Sequence, residues 1–126
     1  MRAVDTNVVV RLIARDDEKQ TRRAESFIAD GAWVSWLVLA ESVRVLESVY
    51  ELTKVQLCTA ISMLLEHRQL VVQDTDVVRL ALDGYKATGG VGFTDCLAVE
   101  IARRNGHGPM GTFDRKLSRL PGAEAV

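Results

Sequence analysis

Arg2-Ala3-Val4-Asp5-Thr6-Asn7, followed directly by Val8-Val9-Val10-Arg11-Leu12-Ile13, is the stretch on which the reading of the fold turns. A short apolar run meets an acid, and Thr6 and Asn7 have side chains suited to capping a helix start. Val8 with Leu12 and Val9 with Ile13 then repeat four residues apart, the spacing of a helix packed on a sheet. In a parallel sheet, Asp5 stands at the carboxyl edge of the first strand, where open α/β folds collect ligands and metals. One carboxylate decides nothing. The question is whether the chain brings others to the same edge.

The alternation continues outward from that stretch. Asp16-Asp17-Glu18 opens a second helix with Ala24, Phe27 and Ile28 as its buried stripe, stopping near Gly31. Trp33-Val34-Ser35-Trp36 reads as a second strand, with the two tryptophans on opposite sides. A helix from about Leu37 carries Leu39, Val43, Leu46 and Tyr50. Thr53 caps another, bearing Leu57, Ile61, Leu64 and Leu65. Leu70-Val71-Val72 is a third strand, and Asp74 or Thr75 opens a helix with Val78, Ala81, Leu82 and Tyr85 inward. Gly89 to Gly92 breaks the chain before a helix bearing Phe93, Leu97 and Ile101. Met110 to Thr112 forms a fourth strand, Arg115 to Leu120 a short helix, and Ala123 to Val126 a last edge strand. Short apolar strands alternating with helices predict an α/β fold, a Rossmann-like three-layer sandwich on a short, mostly parallel five-stranded sheet. Residues 1–126 are expected to form a single domain. The extra pair of helices between the second and third strands, if apolar outside, suits a homodimer.

Composition excludes several classes. Sixteen Lys/Arg against seventeen Asp/Glu give a net charge of −1, so any hold on a phosphate backbone must come from local patches. No apolar run reaches the roughly 18 residues of a membrane span, and Asp5, Asn7, Arg11 and Arg15 interrupt any signal-peptide pattern. Cys58 and Cys96 stand alone, without metal spacing, and read as buried thiols of a reducing, cytoplasmic protein. His67 and His107 have no nucleophile or second histidine beside them. The glycine loop lacks the Lys-Ser/Thr ending of a phosphate-binding loop.

Four acids fall where a parallel sheet delivers side chains to one cleft. Asp5 ends the first strand, Glu41 lies a turn into the helix after the second, Asp95 begins the helix after the glycine loop, and Asp114 follows the fourth strand. Each also has a plain structural reading: Asp5 as a helix cap, Glu41 as a solvated surface acid, Asp95 as a dipole-favoured first-turn acid, Asp114 as a turn former. Several carboxylates within about 4–6 Å of one another are costly unless a cation neutralises them. An all-oxygen set without His or Cys favours Mg²⁺ or Mn²⁺. The chemistry expected of such a centre is metal-dependent phosphodiester hydrolysis.

These residues are similar to a known family. Asp5-Thr6-Asn7 after an apolar strand, Leu39-Ala40-Glu41-Ser42-Val43, Phe93-Thr94-Asp95-Cys96-Leu97-Ala98 and Thr112-Phe113-Asp114-Arg115-Lys116 resemble, in order, the motifs of PIN-domain nucleases, and within them of VapC-type toxins. The resemblance implies a Mg²⁺- or Mn²⁺-dependent endoribonuclease, a homodimer, and a cognate antitoxin that blocks the site. It makes Asp5, Glu41 and Asp95 principal metal ligands or water-orienting acids. Asp114 would complete a second metal site or hold it through water, and Thr112, with Thr6 and Asn7, would support the site. Gly111 and the glycine-rich Gly89 to Gly92 loop depart from the family pattern. Arg103, Arg104, Arg115, Lys116 and Arg119, opposed between positions 103 and 119 only by Asp114, are the candidate RNA-contacting rim. The other readings are a PIN-like binding module without activity, or a phosphoaspartyl phosphatase or receiver-type domain with Asp5 as nucleophile. Asn7 stands where the latter's second acid belongs.

Overall fold

The computed structural model describes residues 1–126. The chain divides into two compact units, Met1–Gln73 and Asp74–Val126. The first holds β1 (Arg2–Ala3), α1 (Thr6–Ala14), α2 (Glu18–Ile28), β2 (Ala32–Val34), α3 (Trp36–Ser48), α4 (Lys54–Glu66) and β3 (Leu70–Val72). The second holds α5 (Thr75–Ala87), α6 (Phe93–Arg104), β4 (Met110–Thr112), a 3₁₀ turn at Leu117–Arg119 and β5 (Ala123–Ala125).

In the first unit the strands lie in the order β1-β2-β3, all parallel, with Arg2 opposite Ala32 and Trp33 opposite Val71. Ala32, Val34, Leu70 and Val72 are buried, while Trp33 and Val71, on the alternate face, are exposed. Side-chain caps set the helix starts. The side chains of Asp17 and Ser35 accept from the amides of Gln20 and Val38, and Thr53 forms a reciprocal capping box with Gln56. Ser35 places Trp36 in the first turn of α3, not in a strand, because its hydroxyl satisfies an amide that a strand would spend on a neighbour. The core draws on Val9, Ile28, Val34, Leu39, Leu46, Leu57, Ile61 and Leu64, all nearly inaccessible. Each such side chain contributes roughly 1.5–3 kcal/mol on burial.

In the second unit α5 packs on α6, and Val78, Ala81, Leu82, Tyr85, Phe93 and Leu97 on the two helices are buried. The Tyr85 and Phe93 rings meet edge to face at 6.0 Å. β4 and β5 pair in parallel, Thr112 opposite Ala125, with Leu117 and Leu120 buried between them in sequence. All five expected strands exist, but they pair as a three-stranded and a two-stranded sheet instead of one continuous sheet. Strands of two or three residues offer few ladder bonds to bridge the two. Neither Cys58 nor Cys96 is in a disulfide; Cys96 is buried as expected, but Cys58 is only half-buried, and no helix is long and apolar enough to cross a membrane.

Candidate functional site

The first half of the site grows from β1. Val4 is buried and its amide donates to the Trp33 carbonyl at 3.1 Å, so the chain leaves the sheet in a fixed direction. Asp5 follows in extended conformation and caps α1, its Oδ1 accepting from the Val8 amide at 3.2 Å. Asp5, not Thr6 or Asn7, is therefore the cap. The positive end of the helix dipole favours the charge there, and Oδ2 keeps no intramolecular partner. Thr6, one residue on, donates its hydroxyl to Glu41 Oε2 at 2.9 Å and so ties the start of α1 to the second turn of α3. Both acids are exposed, and neither is in an ion pair. Asn7 points elsewhere. With Val8, Arg11, Gln20, Arg23 and Phe27 it lines a cavity of about 470 Å³ beside α2. The Arg11 guanidinium there is held by Gln20, Asp16 and the Tyr50 hydroxyl, and the Tyr50 hydrogen bond raises its pKa further above the ordinary arginine value.

The second half grows from the glycine loop. Gly92 caps α6 without a side chain, which leaves Asp95 as the acid of the first turn. Asp95 is half-buried, and its carboxylate makes no hydrogen bond or ion pair within the chain. Asp114 is held from both sides. Its amide donates to Thr112 Oγ1 at 3.0 Å, and its Oδ1 accepts from the amides of Lys116 at 2.8 Å and Leu117 at 3.1 Å. Its Oδ2 remains uncommitted. The Lys116 stem crosses the glycine loop so closely that a Cβ on Gly90, where φ is +77°, would lie 2.5 Å from Lys116 Cδ. That contact sets the loop preceding Asp95 against the turn that carries Asp114. Within the glycine-rich loop it is Gly90 that this contact requires, since a Cβ on Gly89 would meet nothing within 4 Å.

The plain readings of all four acids are present: a cap, an exposed helix acid, a first-turn acid and a turn former. Two carboxylates lie in each unit, and no group of three or more His, Cys, Asp or Glu side chains is gathered to hold a metal ion. The donors are nonetheless of the right kind for a hard cation, all carboxylate oxygens, with Asp5 and Asp114 each anchored through one oxygen and open at the other. Of the basic rim, Arg103 donates to the Pro121 carbonyl at 2.6 Å and pairs with Glu100, while Arg104 pairs with Asp76. Those two arginines, though exposed, already have partners within the chain. Arg115 and Lys116 are exposed and free of ion pairs. From sequence, Phe113 is named only within Thr112-Phe113-Asp114-Arg115-Lys116 and is given no role, yet it is 87% exposed. Its place between Thr112 and Asp114, outside the strand's alternation, was the available signal.

The match that places the chain is to the PIN domain, over residues 2–123. The chain belongs to the PIN domain family, an α/β fold of nuclease type. No curated protein matches it.

Proposed function

We propose that residues 1–126 work as one nuclease domain, a divalent-metal-dependent endoribonuclease that is the toxin of a toxin–antitoxin pair in the cytoplasm. The observation that carries this reading is the state of the acids in a chain of this family. Asp5 and Asp114 are each immobilised by backbone amides through one oxygen, and Glu41 is steadied by Thr6, with no lysine or arginine neutralising any of the four. Asp5, Glu41, Asp95 and Asp114 would hold Mg²⁺ or Mn²⁺. The bound cation supplies an acidified water and stabilises the charge that builds on the phosphoryl oxygens. The chain's own residues do the rest. Thr6 fixes the rotamer of Glu41, Thr112 fixes the backbone at Asp114, and Arg115 and Lys116 draw in the phosphate backbone.

Homodimerisation is part of the same proposal. Leu37 (68% exposed) on α3, Val49 just past its end, and Val55 (76%) and Met63 on α4 are exposed apolar side chains that a second copy would cover. A small co-encoded partner would block the site.

The test is cleavage of RNA with Mg²⁺ or Mn²⁺. Activity should vanish with EDTA and in Asp5→Ala and Asp95→Ala; cleavage that survives both substitutions rejects the roles of these acids. Growth arrest on expression alone, relieved by the co-encoded partner, tests the toxin reading. An inactive PIN-like module is the second reading. Calorimetric titration separates them, since an inactive module should take up Mg²⁺ poorly.

A further inference from the structure

Phe113 is the most exposed large apolar side chain in the protein. Single exposed apolar residues are ordinary, but this one is set apart by its mounting. On one side Thr112 closes β4 and its Oγ1 accepts from the Asp114 amide. On the other, Asp114 Oδ1 accepts from the amides of Lys116 and Leu117. The carbonyl of Thr112 also accepts from the Val126 amide at 2.9 Å. Phe113 therefore projects into solvent from a backbone that is hydrogen-bonded on both sides. The next two residues, Arg115 and Lys116 beyond Asp114, are exposed cations without ion pairs. Of the phenylalanine and tyrosine rings of this unit it alone is accessible, since Tyr85 and Phe93 are buried against each other.

A solvated ring on an anchored backbone, next to a candidate metal ligand and followed in sequence by two unpaired cations, has the chemistry of a stacking platform for nucleic acid. The cations hold phosphates, and the ring face takes a base that is not paired to another. We propose that Phe113 stacks on an unpaired nucleobase next to the scissile phosphate and so sets the register of the RNA at the cut. This deepens the nuclease reading and rests on it. Phe113 is a positioning residue, and paired RNA is discriminated against because its bases are stacked on each other.

The experiment compares the unmodified chain, Phe113→Ala and Phe113→Trp, each first checked for an unchanged melting curve. Binding of a labelled unpaired RNA strand, of the same strand with one abasic nucleotide in turn at each position, and of the matching duplex is followed by fluorescence anisotropy in EDTA. Loss of one base stack weakens binding of the intact strand by Phe113→Ala roughly 5- to 100-fold. Phe113→Trp should bind like the unmodified chain or tighter. One abasic position should remove the difference between Phe113→Ala and the unmodified chain. Equal binding by Phe113→Ala overturns the proposal, and so does an equal loss on every abasic strand and on the duplex. A change from dimer to monomer in Phe113→Ala also overturns it, because the ring then belongs to a protein interface. Cleavage with Mg²⁺ or Mn²⁺ is scored separately. A chain that binds through Phe113 and cuts nothing loses the nuclease reading; one that cuts while Phe113→Ala binds normally loses this proposal alone.

Discussion

Asp5 uses its two oxygens differently, and that separates its structural from its chemical role. Asparagine caps a helix about as well as aspartate, whereas alanine at a cap costs about 0.5–2 kcal/mol. Asp5→Asn should therefore melt like the unmodified protein and lose RNA cleavage, while Asp5→Ala should lose cleavage and also melt lower. Thermal unfolding followed by circular dichroism, beside a cleavage assay, reads both. Asp76 makes a different kind of prediction. Its hydrogen bond from the Arg104 guanidinium holds the carboxyl below its ordinary pKa. A carboxylate whose pKa is lower in the folded protein stabilises the fold above the unfolded-state value, about pH 4, and that contribution disappears as pH falls through the folded value. Asp76→Asn should thus narrow the stability gap between pH 6 and pH 3, an effect that shrinks in high salt because the pair is exposed. Urea titrations at the two pH values measure it.

At the level of elements, some helix starts were legible from a capping residue ahead of an apolar stripe. Thr53 shows this, since the sequence names it as a cap and the structure adds the reciprocal Gln56. Thr53→Ala should cost about 1 kcal/mol of unfolding free energy, read from the urea midpoint. Two boundaries misled for a physical reason. In Trp33-Val34-Ser35-Trp36 the aromatic and branched residues suggest a strand throughout, but Ser35 starts a helix by claiming the Val38 amide. At the first helix Thr6 and Asn7 competed with Asp5 for the cap, and the carboxylate one residue earlier took it. The glycine loop was legible as a break but not as a track for Lys116, which needs three-dimensional proximity to be seen. Gly90→Ala should cost about 1–2 kcal/mol from its left-handed backbone alone. It should also displace the Lys116 stem and weaken RNA binding, measurable by anisotropy beside the melt.

For the whole molecule, the alternation of elements and the four acids could be read from sequence because strand–helix order and carboxylate type are local properties. The engagement of Arg103 with Pro121 and of Arg104 with Asp76 could not, since each partner lies at least eighteen residues away in sequence. The same is true of the division of five strands into two sheets. Asp→Lys swaps would confuse charge with packing, so the outer surface of α3 and α4 is better tested by Val55→Ser with Met63→Ser. Light scattering should then report a monomer with an unchanged melting temperature if these residues join two copies. One arrangement near the tail extends further. Val126 donates to Thr112, Met110 to Gly122, and β5 runs the length of β4, so the final residues act as a splint for the segment leading to Asp114. Trimming or burying that splint, by proteolysis or by a fusion placed after Val126, would slacken the Asp114 turn from behind while every acid stayed intact. Lost activity in a shortened chain would then be a fault of rigidity and not of chemistry.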